Sequence, residues 1–305
     1  MTPSLRNEFS WSVSRDSTLQ ECPRKYYFSY YGSWGGWEPE APARVREIYL
    51  LKKLKTRPLW IGEVVHDCIA RSLLNHSRGI PVLPLEQILS ITRDRMRQDF
   101  RHSRAGRYRE NPASYTGLFE HEYEVEVSDG EWRAAAEQVD RCLMNFYESE
   151  HYQRFSRMDA DNFLEIEKFS SFDLDGVKIH VRLDCAVRDS DRVVVWDWKT
   201  GKSARPGFPL QLACYAWYAG GAFDLNPTRV LTRQYELYED TVHEQALTTR
   251  SFEELFSYMR GSISDMRGLL DDPDKNRASE EKFAKVNRAG TCLRCNFLKV
   301  CKPDI

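Results

Sequence analysis

The chain has 305 residues, 41% of them hydrophobic and 30% charged, with a formal net charge of −2. No stretch approaches the about 18 consecutive apolar residues of a membrane span, and there is no internal repeat or low-complexity linker. The near-neutral balance gives no overall attraction to nucleic acid, so such a partner needs a local basic track.

The opening residues Met1 to Glu8 carry no apolar run, so no secretory signal is expected and the chain reads as intracellular and cytoplasmic, with reduced cysteines. A first helix is predicted over 17–31. It leads into Tyr26, Tyr27, Phe28, Tyr30, Tyr31, Trp34 and Trp37, which suit core packing around Cys22 and, where exposed, stacking on bases of a single strand. A second helix, over 60–77, has an apolar stripe at Ile61, Val64, Val65, Cys68 and Ile69. His66 lies on its flank, facing a cleft, and Gly62 one turn earlier leaves room for another backbone. A helix over 84–103 carries Arg93, Arg97, Arg101 and Arg104, which with Arg95, Arg107 and Arg109 form either a DNA-binding track or a solvated face. Another helix is expected over 131–151.

From there the pattern changes to period two. Strands are predicted over 163–172, 177–187 and 192–198, with Asp175-Gly176 as the turn between the first two. A hairpin centred on Ser190 and Asp191 sets Asp184 opposite Asp197, with Asp197 and Lys199 on one face. Opposed residues have Cβ atoms about 4.5–5.5 Å apart, and two carboxylates that close call for a cation. Mg²⁺ suits them, a hard ion held by one or two carboxylates, water and substrate phosphate. Asp-x-Lys alone is common on surface hairpins. Here the apolar run Val193 to Trp196 argues that the strand is buried, and the helix predicted over 208–220 places Gln211 and Tyr215 on one face. Strands near 228–238 and 241–247 and a helix over 251–270 follow. Thr200-Gly-Lys-Ser203 is not a P-loop, because Trp196 stands where its first glycine belongs.

Eight cysteines divide into two sets. Cys68, Cys142, Cys185 and Cys214 stand singly in apolar surroundings and read as small core residues. Cys22, Cys292, Cys295 and Cys301 leave four thiolates for Zn²⁺ or an iron–sulfur cluster, since both accept tetrahedral sulfur.

Gly62 with His66, Asp184, Asp197-Trp198-Lys199 and Gln211-x3-Tyr215 follow one another in an order and spacing that resemble the PD-(D/E)XK nucleases. The RecB-like branch, which includes CRISPR-associated nucleases, resembles the chain most, and Ser12 to Tyr27 resembles its opening. The resemblance runs from Ser12 to Cys301. It implies an α/β restriction-endonuclease-like core with a mixed central sheet flanked by helices, in a single nuclease domain (1–305) whose core spans about 160–250. It implies Mg²⁺ or Mn²⁺ held by His66, Asp184, Asp197 and the backbone carbonyl of Trp198, with Lys199 catalytic and Gln211 and Tyr215 beside the scissile DNA. Asp197 stands where many members have Glu. It implies further a [4Fe–4S] cluster on Cys22, Cys292, Cys295 and Cys301, with Zn²⁺ as the alternative, clamping 1–37 to 288–305. The implied activity is that of a metal-dependent DNA exonuclease acting on single-stranded ends in repair, recombination or phage DNA processing, with a helicase or recombinase partner. Two alternatives are a CRISPR-associated nuclease working with an integrase and a cleavage-inactive iron–sulfur DNA-binding scaffold.

Overall fold

The computed structural model describes residues 6–201 and 210–302. The expected helix start at 208 and the residues Lys202 and Ser203 lie outside the described residues. In chain order the elements are β1 (Ser10–Trp11), α1 (Val13–Glu21), α2 (Pro23–Tyr27), a π-helical turn (Phe28–Gly32), α3 (Ala43–Lys53), α4 (Arg57–Ser77), α5 (Leu85–Arg104), α6 (Arg107–Glu110), α7 (Phe119–Glu122), α8 (Asp129–Glu148) and α9 (Glu150–Ser156). Then come β2 (Phe163–Ile166), β3 (Phe169–Leu174), β4 (Val177–Arg182), β5 (Cys185–Asp189), β6 (Arg192–Lys199), α10 (Leu210–Ala222), β7 (Val230–Glu236), β8 (Thr241–Ala246), α11 (Thr249–Gly268), α12 (Ala289–Cys292) and α13 (Leu298–Cys301).

The architecture is the expected mixed α/β one. A five-stranded sheet runs in the order β2-β5-β6-β7-β8, with β6 and β7 parallel and the other pairs antiparallel. A smaller sheet orders β1-β4-β3. The alternation of β6 splits its side chains between two cores. Val193 and Val195 join α10, α11 and the small sheet on one side. Val194, Trp196 and Trp198 join α4, α5, α8 and α9 on the other. Among the described residues no helix is long and apolar enough to cross a membrane.

Three expectations need correction. The helix over 17–31 is interrupted: Cys22 is extended (φ −165°, ψ 118°), because the proline that follows it disfavours helical backbone and then opens α2. The strand over 163–172 is two strands, β2 and β3, in different sheets, and the strand over 177–187 is likewise β4 and β5. The two breaks meet: Glu167 takes a left-handed backbone (φ 49°) and its N–H donates to the carbonyl of Asp184 at 3.2 Å. A non-glycine residue held there costs on the order of 1–3 kcal/mol, and such strain clusters at functional sites. Helix α3 was not anticipated. Its apolar face, Ile48, Leu50 and Leu51, is embedded in a run of charged residues and gives little periodic signal.

Candidate metal centre

Both strand breaks open onto one corner, at the carboxyl end of β6. The hairpin register pairs Cys185 with Trp196 and Asp189 with Arg192, so Asp184 falls opposite Asp197 as the turn chemistry predicted. Ser190 supplies the positive φ (59°) that the turn needs. Helix α4 delivers His66 from the other side, on the edge of its buried stripe.

The side chains interlock. The Trp198 N–H donates to Asp184 Oδ2 at 2.7 Å, which aims the other carboxylate oxygen at His66. His66 Nδ1 lies 3.2 Å from Asp184 Oδ1 and 3.3 Å from Glu167 Oε1, and Nε2 donates to the Trp198 carbonyl at 3.0 Å. His66, Glu167 and Asp184 each offer a ligand atom within 4.8 Å of the others. Glu167 is the residue sequence reasoning missed. The local sequence carries no signal for it: Glu165 and Glu167 alternate with Leu164 and Ile166 as on an ordinary strand.

Burial works against charge on His66, but the carboxylates of Asp184 and Glu167 outweigh it and raise the imidazole to about 10. Its protonated ring thus sits among a carbonyl and two carboxylates, an environment arranged for a cation.

Asp197 stands beside this group rather than inside it. It is 2% exposed, and burial, reinforced by the charge of Asp184 and opposed by Lys199, raises its carboxyl above the usual range. Asp197 Oδ2 forms an ion pair with Lys199 Nζ at 2.8 Å. A buried carboxylate answered by a single ammonium keeps further lone pairs to offer. The Asp197 carboxylate, next to a His/Glu/Asp group and the Trp198 carbonyl, fits a hard divalent ion.

Lys199 is tied down from the other side. Its ammonium donates to Gln211 Oε1 at 3.1 Å, and Gln211 Nε2 donates to the Tyr215 hydroxyl at 2.6 Å. Burial, with Asp197 and Asp184 nearby, pushes the Tyr215 phenol well above its ordinary value, so it remains a hydroxyl and acts as an anchor. The predicted residues His66, Asp184, Asp197, Trp198, Lys199, Gln211 and Tyr215 are therefore connected in one network. Gly62 does not admit a backbone. A Cβ there would meet only Thr200 Oγ1, at 3.5 Å.

The arginine track is different. Arg93 bonds to Asp140 and Arg97 to Asp94, while Arg101 and Arg104 are exposed. Two of the four charges are thus answered by carboxylates, one of them on α8, a partner that only the fold reveals.

Cys22, Cys292, Cys295 and Cys301 line one cavity with Lys25, Phe28, Lys285 and Phe297. Burial pushes the Cys295 thiol up to about 11 and raises Cys301 as well, each with a contribution from Cys22. The two chain ends are joined around it: Arg24 bonds to the Phe283 carbonyl and Glu280, and Phe28 packs on Phe297. The segment 107–123 closes the far side, with Tyr108, Arg109 and Lys299 all on the Glu122 carboxylate and the Asn296 amide donating to the Leu54 carbonyl at 2.8 Å. Cys142, Cys185 and Cys214 are buried in the cores and Cys68 is half-buried.

The sequence model of the PD-(D/E)XK nuclease superfamily matches residues 10–302. No curated protein matches the chain.

Proposed function

Because the chain belongs to the PD-(D/E)XK nuclease superfamily, we propose that it is a metal-dependent DNA exonuclease of the RecB-like kind, hydrolysing phosphodiester bonds at single-stranded ends. The observation that carries this reading is the convergence of His66, Glu167 and Asp184 beside the Trp198 carbonyl, with Asp197 and Lys199 alongside. In this reading His66, Asp184, Asp197 and the Trp198 carbonyl hold Mg²⁺ or Mn²⁺, and Glu167 joins them as a ligand or holds His66. The bound ion supplies Lewis acidity toward a phosphate oxygen and lowers the pKa of a coordinated water.

The protein's own groups do the positioning. Asp184 is fixed by the Trp198 N–H before any ligand arrives. Lys199 is held by Asp197 and by the Gln211–Tyr215 pair, so its charge faces the site at one place instead of sweeping through solvent. A fixed cation beside a phosphate stabilises the extra negative charge of the transition state more than that of the ground state. In a second site, the four cysteines take a [4Fe–4S] cluster that staples the chain ends. The apolar cavity wall and the four thiols from both termini support that assignment.

The test is cleavage of end-labelled single- and double-stranded DNA by anaerobically purified protein in Mg²⁺, Mn²⁺ or EDTA. A ladder shortening from one end, abolished by EDTA and by Lys199→Ala, supports the reading. Cleavage that survives Lys199→Ala contradicts it. Iron and acid-labile sulfide, or zinc in their place, identify the second site.

A further inference from the structure

The solvent face of the β3–β4 hairpin begins where the metal centre ends. Arg182 pairs with the centre's Glu167 at 2.7 Å, and Phe169 lies opposite Arg182 in the strand register. Phe169 is 68% exposed, an unusual position for a large apolar ring, and its ring is 4.7 Å from that of His180. The next same-face pairs are Ser171 with His180 and Asp173 with Lys178. Strand β1 then brings Ser10 beside Lys178, and the Ser10 carbonyl holds Arg15.

From Arg15 the surface continues as cations set against aromatic rings. The Arg15 guanidinium lies 4.3 Å from the centre of the Tyr30 ring, and the Lys52 ammonium lies 5.3 Å from the same centre. Lys53 lies 5.5 Å from the Tyr49 ring, and Tyr49 meets Trp37, which in turn meets the exposed Trp34 at 5.0 Å. Among the described residues Arg15, Lys52 and Lys178 have no carboxylate within 4.0 Å. Their charge is felt locally. Burial, and then Arg15 and Lys178, lower His180.

Resting on the nuclease reading, we infer that this surface is the path by which a single strand of DNA reaches the metal centre: Phe169 and Trp34 stack on unpaired bases, and Arg15, Lys52 and Lys178 follow the phosphates between them. Unanswered cations interleaved with open aromatic faces are what a sequence-tolerant single-strand site requires. A duplex keeps its base faces stacked inside and leaves both platforms unused. The arginines of α5 lack this pairing with exposed rings, and three of them, Arg93, Arg95 and Arg97, are already paired with carboxylates.

The experiment measures binding apart from cleavage. Fluorescence anisotropy with a fluorescein-labelled oligothymidine, in EDTA, is compared for the wild type, Lys52→Glu with Lys178→Glu, and Phe169→Ala with Trp34→Ala. The charge variant is expected to bind about tenfold or more weakly, with a salt slope flatter by about 1.4 for two lost phosphate contacts. The aromatic variant is expected to lose single-strand affinity several-fold while a labelled duplex binds it as it binds wild type. Mn²⁺-dependent cleavage of a small chromogenic phosphodiester should match wild type in both. Should either double variant fail a circular-dichroism check of folding, its two single substitutions, all at surface positions, give the same comparison. Single-strand affinity within twofold of wild type in every folded variant overturns the inference, as does duplex affinity falling in step. Wild-type protein that cleaves nothing, with variants that lose single-strand binding as described, overturns the nuclease reading and leaves this surface standing.

Discussion

The corner at the end of β6 and the cavity between the chain ends both gather residues far apart in sequence, by opposite physical means. At the corner the groups are charged or strongly polar and hold one another: Asp184 by a backbone N–H, Lys199 by Gln211, Gln211 by Tyr215. Around the cavity the four thiols stand among Phe28, Val286, Phe297 and Leu298 with Lys25 and Lys285, and burial pushes the Cys295 thiol up to about 11. The first arrangement is preformed. With the cluster proposed for the second, binding there would be coupled to folding.

Substitutions separate these two roles, and their effects on turnover should fall in order. Asp184→Ala removes the carboxylate between the Trp198 N–H and His66, and cleavage should drop to background in a steady-state assay while the melting temperature changes little. Lys199→Ala should lower kcat by about 10²–10³ with Mn²⁺ affinity by calorimetry unchanged, since it removes a fixed charge and no ligand. Glu167→Gln should weaken Mn²⁺ binding by about 10–100-fold, the range for groups that orient or join a metal's ligands, with activity recovered at high Mn²⁺. Cys301→Ser should reverse the pattern. The melting temperature should fall by roughly 5–15 °C, while kcat per folded molecule stays within a few-fold of wild type. A cysteine variant that is fully stable but inactive would erase the contrast between the two regions.

Gly62→Ala is the smallest expected effect and sharpens the picture of α4. The added methyl meets Thr200 Oγ1 at an ordinary contact distance. Alanine in a helix interior is favoured over glycine by about 0.5–1 kcal/mol, so unfolding by urea should show a slight gain.

Much of the corner was legible in the sequence because its determinants are local. A valine-rich alternating strand, a turn at Ser190 and a helical Gln211-x3-Tyr215 fix register and face over short distances, and the metal-ligand types sit on those frames. Glu167 was hidden because it depends on a strand leaving one sheet for another. That departure is set by the crossing with Asp184, not by any turn residue such as glycine or proline. The ion pair of Arg93 was hidden for the same reason: the answering charge of Asp140 comes from another helix. Cys22 was picked out by its partners, and the bend that presents it was written in the following proline. Helix α3 escaped because its apolar face is short and lies among charges.

The most direct measurement of the central claim is anomalous diffraction from crystals soaked in Mn²⁺. The account predicts a manganese peak bonded to His66, Asp184, Asp197 and the Trp198 carbonyl, with Lys199 in contact with its waters or its ligands. A manganese ion bound elsewhere, with no peak at His66 and Asp184 in protein that cleaves DNA, would contradict it.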